Sequence, residues 1–81
     1  MTTLSRRLRF ARDAIESVVA VLEAQPESDE RRRLLHDAHG CRRLIDGWID
    51  EAPSAEQHEV AMKRVLKLHI AAAKLARGPR T

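Results

Sequence analysis

The chain has 81 residues, a third of them charged, with 15 Lys and Arg against 12 Asp and Glu and a formal net charge of +3. A chain this short buries only about 60% of its unfolded surface, so it supports one small domain, residues 1–81, with little room for a substrate pocket. One cysteine excludes an internal disulfide and fits a reducing compartment, and two aromatic residues, Phe10 and Trp48, disfavour stacking on single-stranded nucleic acid.

The first segment opens with MTTLSRRLRFARDAIESVV, which lacks the unbroken apolar stretch of a signal peptide. No part of the chain approaches the roughly 20 apolar residues of a membrane span. A cytoplasmic protein without membrane attachment is expected. Apolar residues recur at Leu4, Leu8, Ala11, Ile15, Val18 and Leu22, the alternating 4-3 step of a bundle seam, and predict a helix over 3–24. Pro26 ends it.

The second segment carries Leu34, Ala38, Cys41, Ile45 and Trp48 in the same rhythm and predicts a helix over 27–51. Glu27, Asp29 and Glu30 crowd its start, where the helix dipole favours acid. Pro53 separates it from the third segment, which starts with the capping box Ser54-Ala55-Glu56-Gln57. The stripe there reads Met62, Val65, His69, Ala72 and Ala76, flanked by Ala61, Leu68 and Leu75. The predicted helix covers 54–77 and ends at Gly78-Pro79. Three helices of matched length with short loops predict an all-α fold, an up-down-up three-helix bundle, or else a helical hairpin completed by a dimer.

Two glycines, Gly40 and Gly47, stand inside the second helix, each costing about 1 kcal/mol relative to alanine. In the heptad frame of the seam both fall at c, with Leu44 between them at g. They make a strip of bare backbone with one apolar knob, to one side of the core. Other apolar residues also fall off the seams: Phe10 at c and Val21 at g of the first helix, and Ile70 at b of the third. Together Gly40, Leu44, Gly47, Phe10, Val21 and Ile70 read as an interface the monomer does not satisfy.

Four histidines and Cys41 raise the question of a metal. A zinc site needs three or four ligands converging on one point. His36 and His39 take outward positions f and b, while His69 takes a, so they do not converge. No metal and no cofactor are expected. His36-Asp37-Ala38-His39-Gly40 locally resembles the His-x-x-basic-Gly motif of histidine phosphotransfer domains, with His39 in place of the usual lysine. The resemblance implies His36 as a phosphoacceptor that Gly40 leaves uncrowded.

Arg31, Arg32, Arg42, Arg43, Lys63 and Lys67 form basic clusters suited to phosphate or nucleic-acid contact. Interleaved Asp13, Glu16, Glu30, Asp37 and Asp46 give these faces the look of ordinary solvated helix surfaces. Cys41 lies on a seam and reads as a small hydrophobe. No pair of carboxylates and no phosphate-binding loop suggests an enzyme or a small-molecule substrate. The expected function is a small non-catalytic protein–protein interaction module, a regulator, adaptor or inhibitor, that self-associates as a homo-oligomer or docks on a partner protein. A nucleic-acid-binding accessory protein using the arginine-rich faces is the second reading, and phosphotransfer through His36 the third.

Overall fold

Serine hydroxyls set the starts of two helices. Ser28 Oγ accepts the Arg31 amide at 3.1 Å, and Ser54 Oγ accepts the Gln57 amide at 3.1 Å while the Gln57 side chain takes the Ser54 amide at 3.0 Å. The second arrangement is the capping box the sequence predicts. The computed structural model describes residues 3–51 and 53–78 and contains three helices, α1 (Thr3–Glu23), α2 (Asp29–Asp50) and α3 (Ala55–Arg77). α2 therefore starts two residues later than predicted. Ser28 is its cap, and Glu27 lies in the loop. Gly78, at φ 73°, turns the chain out of α3 and gives its amide to the Leu75 carbonyl at 3.0 Å. Pro79, the other half of the predicted stop, lies outside the described residues.

The last carbonyls of α1 would be left without partners by the helix end. Gln25 meets this need locally, donating from its side chain to the Val21 carbonyl at 3.1 Å and from its amide to Leu22 at 3.1 Å. Arg31, from the first turn of α2, donates its Nε to the same Leu22 carbonyl at 2.8 Å. This bond latches the start of α2 onto the end of α1.

All three helix pairs are in contact, so the fold is an all-α three-helix bundle and not a hairpin awaiting a dimer. Its core is Leu8, Ala11, Ile15, Val18 and Leu22 from α1, Ala38, Cys41 and Ile45 from α2, and Ala61, Val65, Leu68 and Ala72 from α3. The predicted stripes of α1 and α2 match this core, with Leu4, Leu34 and Trp48 partly buried at the ends. Trp48 packs against the core but keeps part of its surface in solvent.

The stripe predicted for α3 is rotated by one residue. Ala61, Val65, Leu68 and Ala72 point inward, whereas Met62, His69 and Ala76 are exposed. An aliphatic Leu68 at the centre of the interface gains more from burial than the imidazole of His69 would, because a buried ring nitrogen needs a hydrogen-bonding partner.

The hydrogen bonds and ion pairs between helices, among the described residues, all join α1 to α2. Arg12 pairs with Asp46 at 3.5 Å, Arg42 with Glu16 at 3.3 Å, and the buried Ser5 hydroxyl donates to the Ile49 carbonyl at 3.3 Å. The numbering of these pairs runs in opposite senses along the two helices, as antiparallel packing requires. α3 is held to both by apolar contact.

Candidate functional site

The cross-helix pairs fix which flank of each helix faces which neighbour. Arg12 and Glu16 mark the side of α1 that meets α2. Successive helix residues are rotated by about 100°. On that basis Phe10, Ala14, Ser17 and Val21 lie on the opposite side of α1, toward α3. On α3, Arg64, Lys67, Leu68 and Ala71 line a groove shared with α2. Met62, Leu66, His69 and Ala73 lie on the other flank of α3, toward α1.

Two distinct surfaces follow. The first is the α1–α3 face. Four of the large apolar side chains left in solvent belong to it: Phe10 is 75% exposed, Leu66 59%, Met62 40% and Val21 39%. Arg7 lies at its edge, Phe10 shares a shallow surface hollow with Arg6, Arg9 and Asp13, and the helical rotation sets Glu59 and Arg77 at the outer margin beside Leu66. Ile70 is exposed on the outermost line of α3, beside this face rather than within it.

The second surface is the α2–α3 groove, an open cleft of about 550 Å³. Cys41, Leu34, Leu68 and Ala71 form its apolar floor, and His36, Asp37, Gly40, Arg64 and Lys67 line its walls. A methyl group added at Gly40 or at Gly47 would meet no atom within 4 Å. Among the described residues nothing packs on either glycine, so none of the three helices leans into the strip. Leu44, between them, is half-buried.

The six residues predicted as one interface are therefore divided. Gly40, Leu44 and Gly47 belong to the α2–α3 side, Phe10 and Val21 to the α1–α3 side, and Ile70 to neither. Met62, in the stripe predicted for the core, and Leu66, in no predicted surface, both join the α1–α3 face. The signal for them was a second apolar series on α3, Met62-Leu66-Ala73, at steps of four and seven that also suit a helix.

The basic clusters are largely committed to neighbours. Arg31 pairs with Glu27 at 2.9 Å, and Arg32 with Glu27 at 3.6 Å and with Asp29. Arg42 bridges Glu16 and Asp46, the latter at 3.8 Å, and Lys63 meets Glu59 at 3.2 Å. Of the six residues suited by sequence to phosphate contact, Arg43 and Lys67 enter no ion pair among the described residues. Arg31 also differs from a solvated side chain: only 17% of it is exposed.

His36, His39 and His69 are exposed and His58 is partly buried. Among the described residues no three His, Cys, Asp or Glu side chains gather where they could hold a metal ion. Cys41 is buried, and burial pushes its thiol above the usual range, opposed in smaller measure by the positive charge of Arg64. A thiol held neutral is a poor nucleophile. No helix among the described residues is long and apolar enough to cross a membrane. Comparison with protein families, with curated proteins and with solved structures finds no match to this chain.

Proposed function

We propose that the protein is a non-catalytic helical interaction module that self-associates through its α1–α3 face. The observation that supports this reading is the composition of that face. Phe10, Val21, Met62 and Leu66 leave large apolar side chains in water on one side of a chain rich in charge elsewhere. Scattered exposed hydrophobics need no explanation, but four large apolar side chains exposed on one flank of two adjacent helices suit an association site, with Arg6, Arg9 and Asp13 at its rim beside Phe10. A second copy offers the same patch, and a two-fold axis brings Phe10 and Leu66 of both copies together. The gain also suits a chain of this size, whose own core is small.

Sedimentation across concentration tests the reading. The wild type sediments as an oligomer that dissociates on dilution. Leu66→Glu, and separately Phe10→Glu, sediment as monomers with unchanged helix content, because both side chains lie in solvent in the single subunit. A wild-type monomer at every concentration would overturn it.

Phosphotransfer through His36 is a second reading, supported by the exposed imidazole beside Gly40 and its empty surroundings. It requires an acid-labile phosphoryl adduct after incubation with a phosphoramidate donor, lost in His36→Ala.

A further inference from the structure

The α2–α3 groove differs from the α1–α3 face in chemistry. Its floor is apolar, its α2 wall is bare backbone at Gly40, and its α3 wall carries Arg64 and Lys67. Among the described residues neither cation enters an ion pair, whereas Arg12, Arg31, Arg32, Arg42 and Lys63 all do. The charge continues beyond the cleft. Arg33 lies two turns before Gly40 on α2, and Lys74 two turns after Lys67 on α3, and both are also in no ion pair. Against these four stand Asp37, in the lining, and Glu30, so the cleft beside Gly40 and the rim at its Arg33–Lys74 end carry an excess of positive charge, while Glu51 and Glu56 lie on the same flank at the opposite end.

We infer that this groove is a docking site for an acidic amphipathic helix of a partner protein. A helix laid along the cleft would set its aliphatic side chains on Leu34, Leu68 and Ala71. Its backbone would approach α2 closely at Gly40, where no Cβ stands in the way. Glutamates on its flanks would face Arg64 and Lys67. Helix in groove with apolar anchors and a charged rim is a general mode of recognition, and the positive rim chooses the sign of the partner. Strand-like or flat partners would not use the glycine strip. Gly40 gives up helix stability inside α2 and receives no contact in return among the described residues, which an external helix in the groove explains.

This inference stands apart from self-association, because the two surfaces lie on opposite flanks of α3. The test is therefore run on both the wild type and Leu66→Glu. The probe is a fluorescein-labelled synthetic helix of about 18 residues, long enough to hold its fold, with leucine at i, i+3, i+4 and i+7 spacing and glutamate on both flanks. A second peptide has lysine in place of every glutamate. Anisotropy titration reads affinity, and a thermal melt of each variant reads folding.

The glutamate peptide is expected to bind both proteins with micromolar affinity that weakens as salt rises. The lysine peptide binds at least about tenfold more weakly. Gly40→Leu lowers the affinity for the glutamate peptide by about tenfold or more, the cost of overpacking a helix contact. Its melting temperature does not fall, because the new side chain enters empty space and leucine favours helix more than glycine. Arg64→Glu with Lys67→Glu reverses the preference between the two peptides. Equal binding of the two peptides, no binding of the glutamate peptide, or an unchanged affinity in Gly40→Leu would each overturn the inference. So would duplex DNA displacing the peptide in competition, or an oligomer that Gly40→Leu dissociates, since the groove would then belong to nucleic acid or to a second copy.

Discussion

Replacing both Gly40 and Gly47 with alanine probes what the glycine strip costs the isolated protein. Both lie well inside α2, and a methyl at either meets nothing within 4 Å, so no steric penalty offsets the gain. Alanine improves on glycine by about 1 kcal/mol in a helix interior by propensity. Measured gains at unstrained sites are nearer 0.4–1 kcal/mol, through the lower entropy of the unfolded chain, on the order of each substitution. The sites are two turns, or about 10 Å, apart and share no neighbour, so their effects add. The double variant should then be more stable by about 1–2 kcal/mol. For a domain of this length each kcal/mol moves the midpoint by about 4–8 °C, which gives a rise of roughly 5–15 °C. Circular dichroism at 222 nm during a reversible melt, repeated at several protein concentrations, measures it. A midpoint that stays or falls would refute the reasoning, since something must then occupy the strip in the free protein. A fall that grows with concentration would identify the occupant as a second copy.

Other substitutions read other parts of the fold. Ile15→Ala removes a fully buried side chain from the middle of the core and should cost about 2–5 kcal/mol, seen as a lower urea midpoint. Arg31→Ala breaks the bond from Nε to the Leu22 carbonyl and should cost about 1.5–3 kcal/mol, as charged hydrogen bonds do. Arg32→Ala, whose partners lie in exposed positions, should cost no more than about 1 kcal/mol. Comparison of the two denaturation curves decides whether the latch is structural. Cys41 should resist a thiol reagent at neutral pH until the chain unfolds, the rate of labelling being the readout. Because burial raises its folded pKa, the unfolded chain loses the thiol proton first. The contribution of Cys41 to stability is full below the ordinary thiol pKa of about 8.5 and declines as pH rises above it. Cys41→Ala should lessen the alkaline decline.

The helices and most of the core were legible because α1 and α2 each carry one dominant apolar stripe. Leu8, Ala11, Ile15, Val18 and Leu22 make the longest and bulkiest apolar series on α1 and set its inward direction, the series Phe10, Ala14 and Val21 being shorter and interrupted by Ser17. α3 was ambiguous for a physical reason. Its alanines, together with Val65, Leu66, Leu68 and Ile70, make apolar series on two flanks, and periodicity alone does not say which flank meets the core. The choice depended on where α1 and α2 stand, which is tertiary information. The off-seam residues were recognised as unsatisfied. Their division between two surfaces was not visible, because flank identity follows from pairs such as Arg12–Asp46 that bring together residues far apart in sequence. Arg31 read as one of three consecutive solvated arginines. Only the position of the α1 carboxyl end turned it into a latch.

The unequal tethering of the helices has a consequence for local opening. Among the described residues, α1 and α2 are joined by ion pairs, the Ser5 hydrogen bond and the Arg31 latch, while α3 is held by apolar packing. Hydrophobic contact weakens on cooling in a way that ion pairs do not. α3 is then the element whose amides exchange with solvent first, and at low temperature the lead over the α1–α2 hairpin widens. Both surfaces described above border α3. A partner seated on either one grips the helix that opens most readily, so its binding registers as slowed exchange along Ala55–Arg77, including amides on the side of α3 that the partner never touches.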